Sequence, residues 1–252
     1  MQIMQKKIDL VNGPVLSSLT RLAIPIMATS LIQMAYNMTD MIWIGRIGSS
    51  AVASVGAAGM YMWLSNGLAV LAKMGGQVNV GHALGAADKE KAEEYVSNAL
   101  QLTLVLGIIY GIICILGARP LIHFFHLNQA QVIRDAVSYL KITCGLVLFS
   151  FLNQTFTGLF TAIGNSRPVF LATTTGLVVN IILDPLLIFG IGVFPALRVT
   201  GAAIATVVAQ MIVTLMFLIF AAKDTVLFRY VSYRKKPDMK SMKAIVRIGF
   251  PT

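Results

Sequence analysis

The sequence predicts an all-α integral membrane protein, a bundle of six spanning helices. Three observations predict it. Of 252 residues, 57% are hydrophobic and only 12% charged, whereas a soluble domain carries about 25% charged residues. The charges cluster between apolar runs that reach the roughly 20 residues a membrane helix needs. Glycine is frequent, at 21 residues, as where membrane helices pack closely. The apolar runs are continuous rather than alternating, which excludes the short alternating strands of a membrane β-barrel. The same composition excludes a disordered chain.

Taken in order, the first span is expected near 16–44, because 22–45 carry one charge, Asp40. The second is expected near 52–83 and the third near 93–117, since 47–72 and 95–118 carry none. The fourth is expected near 132–160, where 142–166 are uncharged, and the fifth near 168–193, where Asp184 is the single charge of 168–197. The sixth is expected near 199–222, again free of charge. This defines a six-helix transmembrane lobe over 1–222, a basic link over 223–243, and an apolar restart, AIVRIGFPT, over 244–252.

The formal net charge is +10. In a soluble protein that would suggest nucleic acid; in a membrane protein it orients the bundle, because Lys and Arg collect in cytoplasmic loops. With a cytoplasmic N-terminus, fourteen of the twenty basic residues fall inside and five outside, with Lys73 within a span. The expectation is a multi-pass protein of the cell membrane, its N-terminus and link 223–243 cytoplasmic, with lipid and not nucleic acid as its surroundings. The N-terminal MQIMQKKIDLVNGP lacks the apolar core of a cleavable signal. Cys114 and Cys144 form no disulfide framework or paired-cysteine metal motif. His123 and His126 have metal-like spacing in HFFH, but with no nearby carboxylate pair they read as interfacial packing. No Walker loop, dinucleotide fingerprint or hydrolase elbow is present, so neither an ATP engine nor a cofactor is expected, and no enzyme.

Two acidic residues lie inside spans, Asp40 and Asp184. An intramembrane charge costs a few kcal/mol and usually faces the bundle interior, on an ion or proton pathway. On the first span Gln33, Tyr36, Asn37 and Asp40 follow at i, i+3, i+4 and i+7, one polar stripe. On the fifth, Asn180 and Asp184 share a face at i, i+4. Asn153 and Thr157 have the same spacing on the fourth span, and Thr206 and Gln210 on the sixth. Carboxylates, amide carbonyls and hydroxyls suit a small hard cation, and a buried carboxylate suits a proton. The competing reading is hydrogen-bonded glue between helices, which weighs more for Asn153, Thr157 and Gln210 than for the two aspartates. Pro25 and Pro185 are expected to kink their helices, the second freeing the carbonyl of Ile181. Lys73 lies deep in the second span and either snorkels or faces protein. Met27, Met34 and Met38 suit an adaptable pocket.

The first span opens on RLAIPI, and the chain closes on RIGFPT, their prolines 226 residues apart. Repeats of this size are common in secondary transporters. The segments LTRLAIPIM, YNMTDMIWIGRIG, GHALGAADKEKA, GNSRPVF, NIILDPLLIFG and GAAIATVVAQ occur in that order over nearly the whole chain. In these segments the sequence resembles the multidrug and toxic compound extrusion (MATE) family. The resemblance implies twelve helices in two six-helix lobes around a central cavity, of which this chain carries the N-terminal lobe and the start of helix 7. It implies export of small organic drugs, cationic ones among them, in exchange for Na⁺ or H⁺. It places Asp40, Asn180, Asp184 and Thr206 at the cation site, so that transported Na⁺ would sit at Asp40, Asn180 and Asp184, with no structural metal. Gln33, Tyr36, Asn37, Asn153 and Thr157 are the candidates for the substrate cavity.

The leading expectation is therefore half of a cation-coupled multidrug antiporter working by alternating access, whose partner is a C-terminal lobe absent from this chain. A lipid-linked saccharide flippase of the same superfamily would want a larger, more cationic cavity. A structural or regulatory membrane protein would give Asp40 and Asp184 no purpose.

Overall fold

The computed structural model describes residues 15–192, 194–224, 227–228 and 238–250. Among them it forms nine α-helices and no strand: α1 (Val15–Ile47), α2 (Ser49–Gly85), α3 (Lys89–Leu116), α4 (Ala118–His123), α5 (Ala130–Thr143), α6 (Leu148–Ala162), α7 (Arg167–Phe189), α8 (Arg198–Lys223) and α9 (Met239–Gly249). With no water in the hydrocarbon layer, a chain this apolar satisfies its backbone polar groups internally, and helices do so. α2, α3, α7 and α8 are each long and apolar enough to cross a membrane, and α5 with α6 pass the same test together as one bent pair. α1, at 33 residues, is long enough to span, but Gln33, Asn37 and Asp40 leave it less apolar than those four. Each run expected to span carries a helix, and the protein is a multi-pass membrane protein.

The fourth span departs from expectation. In place of one helix over 132–160, α5 and α6 meet at a 47° bend across residues 144–147. Gly145 lies at the break, pressed against α3. A Cβ on Gly111 would stand 2.8 Å from the Gly145 carbonyl oxygen, and one on Gly145 would meet the side chain of Ile115. Two facing glycines let α3 approach the broken turn backbone to backbone, a contact the run of apolar residues does not reveal. The fifth span ends at Phe189 rather than near 193, and α7 runs unbroken through Pro185.

α9 begins at Met239, five residues before the expected restart. Asp238 caps it, its carboxylate accepting from the Ser241 N–H at 2.9 Å. That backbone donor holds the half-buried Asp238 carboxyl below its ordinary range. The Asp238 N–H donates to Asn98 on α3 at 3.0 Å, Ser241 donates to Glu94, and buried Ile245 sits over Gly75 of α2. The apolar restart is thus docked on α2 and α3. Residues 1–14, most of the link and the closing Pro251 lie outside the described residues.

α2 is the central packing element, touching α3, α5, α6 and α9, while α7 joins α1 to α8. The apolar core falls into two clusters. One gathers Ile44, Ala58, Tyr139, Phe151, Ile188 and Val199. The other gathers Val80, Leu159, Phe160, Val169, Phe217 and Ile245, with Phe156 and Phe160 stacked on Phe217 at 5.7 and 5.9 Å between ring centres. Along α7 the clusters are anchored at Val169 and Ile188, and along α8 at Val199 and Phe217. Asn180, Asp184, Thr206 and Gln210 lie between these anchors. The polar layer is therefore set between two apolar ones, where electrostatic interactions are strong because the local dielectric is low.

Candidate functional site

The polar stripe of α1 divides. Tyr36 and Asp40, one turn apart, face the bundle: Tyr36 is 9% exposed, and one carboxylate oxygen of Asp40 is fully enclosed. Gln33 and Asn37 face outward and line a shallow groove of about 550 Å³ with Ser30, Met34, Met38 and Met41. Successive residues advance 100° around a helix, so a four-residue stripe straddles the edge between buried and open faces. The groove brings Gln33 and Asn37 together with Met34 and Met38; the side chain of Pro25 lies outside the described residues.

α7 supplies Asn180 and Asp184, both 0% exposed. The Asn180 amide donates to Asp184 Oδ1 at 3.1 Å. α8 supplies Thr206, 8% exposed, and Gln210. Asp40 lies within electrostatic reach of Asp184, and the Tyr36 hydroxyl lies beside Thr206 and Gln210 and near both carboxylates. Tyr36 Oη, Asp40 Oδ1, Asn180 Oδ1, Asp184 Oδ2 and Thr206 Oγ1 are all buried without a hydrogen-bond partner among the described residues. An unsatisfied buried polar atom costs about 1–3 kcal/mol, so five from three adjoining helices are a concentrated penalty. All five are oxygens, two from carboxylates, and this donor set suits a hard cation or protons. No cluster of three or more His, Cys, Asp or Glu side chains suited to a metal ion exists among the described residues.

Tyr139 of α5, fully buried within reach of Asp40, Tyr36 and Asp184, also belongs to this neighbourhood. Nothing in the local pattern AVSYLKIT marks it, because its position depends on how α5 is aimed by the bend after it.

Asn153 and Thr157 lie elsewhere, between α6 and α8. The Asn153 amide donates to the Gln210 carbonyl and side-chain oxygens at 3.0 and 2.7 Å and accepts from Thr214 at 2.8 Å, while Thr157 donates to the Asn153 carbonyl at 2.7 Å. Asn153 ties the two helices beside the oxygen cluster, while the Thr157 bond stays within α6. His123 and His126 are exposed, and the intervening Phe125 packs edge-on against Tyr61 at 5.8 Å.

The comparisons with known proteins agree with this architecture. The family profile described as MatE matches residues 25–186, which run from within α1 through the Asn180–Asp184 pair of α7. The chain belongs to the MatE family. Among MatE-type relatives it is 29% identical over 237 residues to the "Probable multidrug resistance protein NorM" of Thermotoga maritima, covering 93% of this chain and 50% of that protein. It is 27% identical over 212 residues to the "FAD transporter" of Shewanella oneidensis, covering 83% of this chain and 46% of that one. A solved structure described as the outward-facing conformation of a multidrug resistance MATE family transporter of the MOP superfamily superposes with a TM-score of 0.84 at 26% identity, covering 98% of this chain and 54% of that chain. The chain spans about half the length of the curated relatives it matches.

Proposed function

We propose that this chain forms the ion-coupling lobe of a multidrug antiporter of the cell membrane, exporting drugs or toxic organic compounds in exchange for Na⁺ or H⁺ by alternating access. The observation that carries the reading is the set of five partnerless buried oxygens at the junction of α1, α7 and α8. Asp40 and Asp184 neighbour each other in a dry site, which resists two negative charges at once; a cation or a proton relieves that. Asn180, Thr206 and Tyr36 supply neutral oxygens around it. Binding of the ion favours one facing of the lobe and binding of the drug the other, so the ion gradient drives export. The groove along Gln33, Asn37 and the methionines of α1 is the drug-facing wall, and lipid and a second lobe complete the surroundings. The basic bias places the N-terminus and the 223–243 link on the cytoplasmic side.

The test is efflux from vesicles holding the full-length gene product, under separately imposed Na⁺ and H⁺ gradients. Efflux driven by one gradient, and lost in both Asp40→Asn and Asp184→Asn at normal expression, is expected. Efflux that ignores both gradients would reject coupling.

A further inference from the structure

Lys73 is the one formally charged side chain on α2 and α6, and the cation site does not use it. On α2 it shares a face with Asn66 and Gln77, at i, i+7 and i+11 from Asn66. That face meets the face of α6 carrying Ser150, Gln154 and Gly158. Gln154 donates to Asn66 at 2.8 Å. Farther along, Lys73 lies over Gly158, where a Cβ would come within 2.7 Å of the Lys73 carbonyl oxygen and 3.1 Å of its Cγ. Glycine there lets the lysine stem lie along α6.

The seam is not sealed. Amides and an ammonium along one stripe are costly against hydrocarbon, yet Asn66 is exposed and Lys73 and Gln77 are half-buried. At one end Asn66, Ser65 and Ser150 line a cleft of about 50 Å³ that also touches Thr206 and Gln210. α9, with Lys240, Lys243 and Arg247, packs at Leu71 and Gly75, on the far side of α2. Lys73 makes no ion pair among the described residues. Asp40 and Asp184 face the α1–α7–α8 junction instead.

A fixed positive charge within the span, open to a polar seam and unanswered by any carboxylate among the described residues, calls for a negative group from outside the lobe. We propose that the α2–α6 seam binds an organic anion, an apolar body bearing a carboxylate, sulfonate or phosphate, with Lys73 holding the acidic group and Asn66, Gln77 and Gln154 its polar edges. Exposed Trp63, on the adjoining face of α2, supplies the apolar wall. The inference rests on the transporter reading and narrows its cargo from organic compounds at large to anionic ones.

Two probes sharing one ring system decide it: naphthalene-2-sulfonate and 2-naphthylmethylammonium, titrated calorimetrically into the 252-residue chain in phosphatidylcholine nanodiscs, with empty discs as blank. The sulfonate should bind the wild type about tenfold more tightly than the ammonium, the value of one charge-assisted contact. Lys73→Gln should weaken the sulfonate about tenfold and leave the ammonium unchanged, and Lys73→Arg should retain it. Should Lys73→Gln not fold, the wild-type preference between the probes decides. Equal sulfonate affinity in wild type and Lys73→Gln, or a wild-type preference for the ammonium, would overturn the proposal. Displacement of the sulfonate by phosphatidylglycerol in the discs would also overturn it, assigning the seam to a lipid headgroup. Binding needs no ion gradient, so Lys73-dependent binding without gradient-driven efflux would reject coupling alone.

Discussion

Asn180 donates to Asp184 Oδ1 one helical turn away at 3.1 Å, which leaves Asp184 Oδ2 and the Asn180 carbonyl oxygen buried and without partners. The bond orients the carboxylate while reserving its second oxygen. Asn180→Leu should therefore weaken the response to the coupling ion more than it affects folding. The measurement is the shift of thermal midpoint on adding Na⁺ or lowering pH, since a ligand bound only to the native state stabilises by mass action. An unchanged shift in the variant would show that the amide does not serve the ion.

Tyr36 and Thr206 test whether the orphaned hydroxyls exist for a ligand. Removing a buried, unpartnered hydroxyl relieves a penalty of about 1–3 kcal/mol. Tyr36→Phe and Thr206→Val should each raise the thermal midpoint in the absence of the coupling ion and lower ion affinity. A lower midpoint without the ion would mean that these hydroxyls already have partners in the native protein.

Asn153 links α6 to both Gln210 and Thr214 of α8. Asn153→Leu strands those groups, and a loss of about 1–3 kcal/mol of stability is expected, seen as a lower thermal midpoint whatever the cargo. If stability holds and only cargo affinity falls, Asn153 belongs to the cavity wall instead.

Gly111 of α3 faces the broken turn at Gly145. Gly111→Ala brings a methyl within 2.8 Å of the Gly145 carbonyl oxygen, and overpacking of this kind costs about 1–3 kcal/mol. Wild-type stability in Gly111→Ala would show that the α5–α6 bend relaxes freely, and the proximity of Tyr139 to the two aspartates would lose its structural cause.

Orientation is open to a direct check. A reporter inserted after Lys236, in the basic link, should be reached only from the cytoplasm. Labelling from the outside would reverse the assignment and with it the direction of the drug-facing groove.

The sequence by itself determined the class and the inventory of this protein. Membrane helices announce themselves through uninterrupted apolarity, and a buried charge stands out because so few are tolerated, so Asp40 and Asp184 were legible as the residues to explain. Helical spacing also put Asn180 with Asp184 and Tyr36 with Asp40, because contacts at i, i+4 are local. Only the tertiary structure decided the rest. The break between α5 and α6 sits where Gly111 of α3 packs against Gly145, a contact across more than thirty residues. The arrival of Tyr139 beside the aspartates depends on how that break aims α5. The outward turn of Gln33 and Asn37 depends on which side of α1 meets α7 and α8. Periodicity gives each helix a face but not its neighbour, and a site shared by three helices is a property of the neighbours.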